Sequence, residues 1–294
     1  MRLIEVLLSQ KKFIFTLAAA LTTVTASVAQ AYIPQSQTIV SRLARNHGKG
    51  YYVIEQDVQF RTSTEPVILR ERWIVENGEN MRLSVSAPKA GADPIRYDAI
   101  YRDGKRTSGD LTGATRTLPV TGEFLEGFFH ARSGRTFLGS LVKSRILPPQ
   151  ALREKPRVTK IEQIKYTPDP YIRLGRTAGV VTWIFGEPSP AEGKLNAQAW
   201  IEQDSFTLRR LRFATDAEVV AERHSAYAAN LRFPRERTVS WGDNSVQIRV
   251  VSVKQIPASQ VGSQLDPNQV TPAVAKAARL PDLTQVREFY SRFR

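Results

Sequence analysis

The chain has three histidines and no cysteine. His47 sits in a glycine-flanked turn, His130 in a helical interruption and His224 on a strand pattern. A zinc site would need His-x-x-x-His or Glu-x-x-His spacing, and neither occurs. The lack of cysteine excludes disulfides, thiolate ligands, a cysteine nucleophile and lipid attachment to an N-terminal cysteine. No Gly-x-Ser-x-Gly elbow surrounds any serine. Gly175, Gly179 and Gly186 fall inside a strand pattern rather than a phosphate-cradling loop. The acids Glu123 and Glu126 read as the exposed face and N-terminal charge of a short helix. No catalytic residue, metal ligand or cofactor is assigned, and the chain is not read as an enzyme.

The elements that would hold any site are mostly strands. A short helix is expected over 35–46, stopped by the glycines after His47. The period then changes to two: Tyr52, Ile54, Val58 and Phe60 share one face, and Val67, Leu69, Trp73 and Val75 share another. Asn77-Gly78 turns the chain into a strand with Met81, Leu83 and Val85 in phase. A strand over 96–106 ends in the Asp103-Gly104 turn. Residues 121–144 place Phe124, Phe128, Phe137 and Leu141 at helical spacings and read as two short helices. Strands resume over 156–167, 171–186, 194–203 and 206–215, with a bulge expected near Arg209-Arg210. A strand over 218–228 and a hairpin over 231–254 follow. The arginines 232, 235, 237 and 249 are placed on the hairpin's wet side. Helices are expected over 271–278, with Thr271 as N-cap, and over 281–293.

Strands without crossover helices argue against a parallel α/β fold. The expectation is an α+β fold: a curved antiparallel sheet forming an incomplete half-barrel of about ten strands, covered by short helices on its concave side. Residues 1–31 have a basic start, an apolar run and Ala29-Gln30-Ala31, the pattern of a cleaved signal peptide. The expected organisation is therefore signal peptide 1–31, half-barrel domain 32–256, and linker plus C-terminal helical segment 257–294.

At 41% hydrophobic residues and a mean hydropathy of −0.30, the 294-residue chain reads as a soluble globular protein. The formal net charge is +14, and removing the leader would leave +12. An exported protein of this charge would meet anionic lipids, lipopolysaccharide or acidic partners rather than nucleic acid. The basic residues are interleaved with acids, as on a solvated surface.

The order of elements and several short segments carry a resemblance. "IYRDGKR" (100–106), "AWIEQDSFTLRRLRF" (199–213) and "NLRFPRERTVSWGDNSVQIRVVSVKQI" (230–256) are similar to stretches of the LolA/LolB-like lipoprotein-carrier superfamily. The likeness covers about residues 35–256. It implies an incomplete barrel with an apolar groove partly closed by helices, which shields acyl chains in the periplasm. The basic residue that latches the lid in well-known carriers is replaced here by Glu76-Asn77. The receptor branch's lipidated cysteine is also missing.

On this reading the groove and lid residues are Trp73, Leu83, Phe124, Phe128, Phe137, Leu141, Trp183, Trp200 and Phe213. The expected function is a periplasmic carrier or binding protein for lipoprotein acyl chains or other lipids, with an anionic membrane surface or a protein as further partner. The alternative is an envelope-stress regulatory module of the same fold, docking its partner through residues 271–294. A third reading is an unrecognised hydrolase on an all-β scaffold.

Overall fold

Alternation of apolar and polar residues builds one large sheet. The computed structural model describes residues 33–62, 65–88, 95–110, 113–153 and 169–294. The leader expected over 1–31 and the strand expected over 156–167 lie outside the described residues. Six strands precede the helical interruption: β1 (Tyr51–Phe60), β2 (Val67–Val75), β3 (Met81–Ser86), β4 (Arg96–Arg102), β5 (Lys105–Gly109) and β6 (Thr115–Pro119). Seven follow it: β7 (Ile172–Thr177), β8 (Val180–Phe185), β9 (Gln198–Glu202), β10 (Leu208–Arg212), β11 (Glu218–Ala226), β12 (Arg232–Trp241) and β13 (Asn244–Ile256).

These strands form two meanders that meet where β1 pairs antiparallel with β13. The edges β6 and β7 do not pair, so the sheet is curved but open, an α+β barrel-like architecture as expected. The strand count is thirteen among the described residues, and the expected ten is corrected. Two segments read as single strands are hairpins. Asp103-Gly104 separates β4 from β5, and Ala178-Gly179 separates β7 from β8, all four residues at positive φ as a type I′ turn requires. β6 is exposed along its whole length, so it carries no periodic signal.

The inner face carries Ile54, Val58 and Phe60 of β1 and, across the ladder, Leu69 and Trp73 of β2 and Leu83 of β3. All six are buried. Each such side chain contributes about 1.5–3 kcal/mol relative to exposure. The outer face pairs charges, for example Arg70 with Asp57 at 2.5 Å. Register shifts fall between Glu55 and Gln56 and between Leu208 and Arg210, the second where the bulge is expected. Such bulges bend the strand and curl the sheet.

Helix α1 (Ser36–Arg45) buries Ile39, Val40 and Leu43. Helices α2 (Glu126–Phe129) and α3 (Gly134–Lys143) form a lid over one end of the inner face, and α1 packs on α3. Helix α4 (Ala258–Val261) lays Val261 on the outward Val53 and Ile74. Helix α5 (Pro272–Lys276) starts at Thr271, whose hydroxyl accepts from the Val274 N–H. Helix α6 (Thr284–Arg292) covers the other end of the inner face: Phe289 meets Phe60 edge-on at 5.4 Å and Trp241 at 6.2 Å.

Candidate functional site

The lid is built from local rules. Ser133 caps α3, its hydroxyl accepting from the Thr136 N–H at 3.0 Å. At the other end, Ile146 N–H donates to Leu141 C=O and Arg145 N–H to Val142 C=O, the two bonds of a Schellman stop. The lid rests on the β2–β3 turn. A Cβ at Gly78 would stand 3.0–3.2 Å from backbone atoms of Gly127, His130 and Ala131, so only glycine lets the two backbones approach this closely.

Most of the expected groove residues come together beneath this lid. Phe124 stacks on Tyr101 at 4.5 Å and lies 6.5 Å from Trp73. Phe128 meets Phe137 at 6.2 Å and Phe213 at 5.9 Å. Leu83 sits opposite Trp73 on β3, and Leu141 is fully buried on α3. Trp183 shares its face with Phe185 and pairs with Ile201, further along the sheet. Trp200 is placed differently. It lies directly opposite Arg210, and the guanidiniums of Arg210 and Arg212 stack over its ring at 4.9 and 5.3 Å, on the outer face.

The centre of the inner face holds a ring of buried charges that the sequence reading passed over. Gln56 donates to Glu71 at 2.6 Å and accepts from Arg237 at 2.6 Å. Arg237 reaches Glu126 at 2.8 Å, Arg294 reaches Glu126 at 3.3 Å, and Arg294 closes the circuit on Glu71 at 2.9 Å. The four ionic side chains are at most 1% exposed. Arg237 is sandwiched by Phe129 and Phe233, and Arg294 by Trp73 and Phe289. One circuit therefore ties strands β1, β2 and β12 to the lid and to the chain's last residue.

Two expectations are corrected here. Glu126 is not an exposed helix charge, and Arg237 is not on the hairpin's wet side; both are buried. The signal was present as polar residues in apolar phase: Gln56 between Ile54 and Val58, Glu71 between Leu69 and Trp73.

The electrostatics follow from the geometry. Burial pushes the Glu126 carboxyl up, but Arg237, the His130 hydrogen bond and Arg294 together hold it well below the usual carboxylate range. Burial lowers the Arg237 guanidinium against the pull of Glu126. For Arg294, burial is outweighed by Glu71 and Glu126, and its pKa is raised. Burial disfavours the charged form of both histidines here, His130 in the lid and His47 against it. Burial lowers His47, whose Nδ1 is 2.7 Å from the Ala131 carbonyl, to about 3, and it also lowers His130. Among the described residues, no group of three or more His, Asp or Glu is arranged to hold a metal ion.

Between the lid and the strand ends lies an open cleft of about 450 Å³. Its lining includes the edges of the otherwise buried Tyr101, Phe124 and Phe128, Gly139 and Ser140 of α3, and the charged Lys143, Arg135 and Glu79. Its volume is within the roughly 300–1,000 Å³ common for small-molecule sites.

No protein-family model matches the chain, and no curated protein matches it. Among solved structures it is similar to a LolA superfamily protein from Nitrosomonas europaea at 8% identity and a TM-score of 0.47, covering 78% of this chain and 97% of that one. It is also similar to a domain named for outer membrane lipoprotein sorting from Vibrio parahaemolyticus, at 11% identity and 0.46, covering 82% and 97%. A DUF1329 family protein from Desulfovibrio piger gives 10% identity and 0.48, covering 80% and 98%. At these identities and scores the likenesses carry no argument about what this chain binds.

Proposed function

We propose that this protein is a non-enzymatic carrier or binding protein that holds an acyl chain of a lipid or lipoprotein between its lid and its sheet, and that it works in the periplasm. The observation that carries the reading is the cleft: it borders the lid helix α3, reaches the edges of the otherwise buried Tyr101, Phe124 and Phe128, and has the exposed Lys143 in its lining. Each methylene buried there would contribute about 0.8 kcal/mol, so a long chain gains on the order of 10 kcal/mol over water. The charge ring supports the role by holding the lid in register on the sheet while the cleft beside it stays open.

The regulatory reading has less support. Its docking element would be residues 271–294, yet the apolar stripe of α6 is already spent on the inner face: Val286, Phe289, Tyr290 and Phe293 are buried there. The hydrolase reading has no arrangement of side chains behind it among the described residues.

The test is a titration of the delipidated protein with a hydrophobic dye, displaced by palmitate, beside native mass spectrometry of the protein as purified. Acyl ligands and dye displacement are expected. In Gly139→Trp the new side chain meets nothing at its Cβ and fills the cleft, so binding should fall with folding intact. A protein that carries no lipid and binds no dye would end the carrier reading.

A further inference from the structure

The C-terminal end of α3 breaks a local rule. The residue after a helix cap in a Schellman stop adopts a left-handed conformation, and glycine is the usual occupant. Here Arg145 takes it, at φ 60. A long cation is thereby held, at some cost in strain, where the chain leaves the lid. Strained positions of this kind are kept mainly where they serve a site. Arg145 and Lys143, two residues before it, are both exposed, and neither has an acidic partner among the described residues.

What surrounds these cations points to their use. The cleft described above lies on one side of the stretch 139–152, which contributes Gly139, Ser140, Lys143 and Leu152 to it. On the other side lies a second open cleft of about 610 Å³. The same stretch supplies its near wall through Val142, Ile146, Leu147 and Pro149, and Leu195 and Ala197 supply the far wall. Arg145, Lys194 and the acid Glu187 lie at its rim. Leu195 is 47% exposed, one of few large aliphatic side chains left in water among the described residues. Gly186 lets the end of β8 pass beneath: a Cβ there would stand 2.6 Å from the Ala197 carbonyl and 3.1 Å from that of Ile146.

Two clefts of mixed lining thus border the same stretch, and it carries two cations that have no ion pair among the described residues. We propose that the end of α3 is a headgroup site, where Lys143 and Arg145 hold the anionic head of a two-chain lipid whose chains part into the clefts on either side. This rests on the carrier reading and names its ligand class. A single chain would use one cleft and leave Leu195 wet. A zwitterionic head would gain little from two cations with no acid between them.

The experiment is equilibrium loading of the delipidated protein from mixed micelles, read by native mass spectrometry. The lipids are phosphatidylglycerol, phosphatidylcholine and lysophosphatidylglycerol. One phosphatidylglycerol per chain is expected, preferred over each of the others by roughly tenfold, the scale of one charge-assisted hydrogen bond. Lys143→Gln with Arg145→Gln should reduce phosphatidylglycerol to the phosphatidylcholine level. Gly139→Trp and Ala197→Trp should each reduce it to the lysophosphatidylglycerol level, with thermal melts confirming that the variants fold. Arg145→Gly keeps the turn without the cation and should lose the same headgroup preference. Equal loading of all three lipids, or two lysolipids per chain, would overturn the proposal and leave the carrier reading standing. No loading of any lipid would overturn both.

Discussion

Arginine and lysine occur in this molecule in two opposite states. Arg237 and Arg294 are sealed inside, each facing carboxylates and sandwiched between aromatic rings. Lys143 and Arg145 are exposed at the end of the lid with no ion pair among the described residues. A net charge of +14 makes no distinction between them. What separates them is whether the fold supplies the counter-charge. Where it does, the cation belongs to the architecture, because an ion out of water is tolerable only when paired and hydrogen-bonded. Where it does not, the cation is available to something that arrives from outside.

The sharpest way to break this contrast is to remove one partner from the ring. Glu126→Ala leaves Arg237 with Gln56 alone and takes one carboxylate from Arg294. The expected loss of stability is about 3–5 kcal/mol, measured by denaturant unfolding. Substituting Lys143 and Arg145 together with glutamine should change stability by no more than about 0.5 kcal/mol, as for surface positions. Similar losses for the two sets would remove the distinction.

Acid offers a second, smaller test. His47 is neutral in the fold, with its pKa lowered from 6.5 to about 3, so between those values the unfolded chain binds the extra proton. Stability should therefore fall as pH drops below about 6.5, by roughly 1.4 kcal/mol per pH unit while this group dominates. His224, lowered by burial to about 4, acts in the same direction. Glu126 contributes stability that is complete above the ordinary carboxylate range and is lost as pH falls through and below it. Urea midpoints should hold from pH 8 to about 7 and decline from there to pH 4, and His47→Gln should flatten the upper part of that decline. A flat profile from pH 7 to 5 would show that His47 is not held neutral.

The same contrast explains what could be read from the sequence. The wet and dry rows of β1, β2 and β3 follow from alternation, and Asn77-Gly78 and Asp103-Gly104 mark their own turns. The lid aromatics follow from helical spacing. The junction of β1 with β13 does not, because Tyr51 and Ile256 are brought together by pairing that no local pattern records. The ring was hidden differently. Glu71 and Gln56 stand in the dry rows, but a polar residue there reads as an interruption until its partners arrive from β12, the lid and the chain end. Arg237 was assigned to the wet side with Arg232, although an even and an odd position cannot share a face of a regular strand. Phe233, Arg237, Val239 and Trp241 are buried in one phase, in an unbroken register with β11, so Arg237 belongs to the dry row. Trp200 lies on the outer face for a different reason: in a strand buried on both faces, Gln198–Glu202, alternation does not say which side is inner.

The smallest expected effect separates the two states most cleanly, because stability and binding should move in opposite directions. Arg145 holds a left-handed backbone that glycine adopts without strain, against a gain of freedom for glycine in the unfolded chain. Arg145→Gly should therefore leave stability unchanged or raise it by up to about 1 kcal/mol, since the Schellman bonds of Ile146 and Arg145 are backbone bonds and survive the change. In the buried set no comparable substitution exists: truncating Arg237 takes from Glu126 its shorter arginine contact, and truncating Arg294 leaves the buried Glu71 without its cation. If Arg145→Gly melts lower than the parent by more than about 1 kcal/mol, its side chain is part of the fold's own bonding, and the cation at the end of the lid belongs with the architectural ones after all.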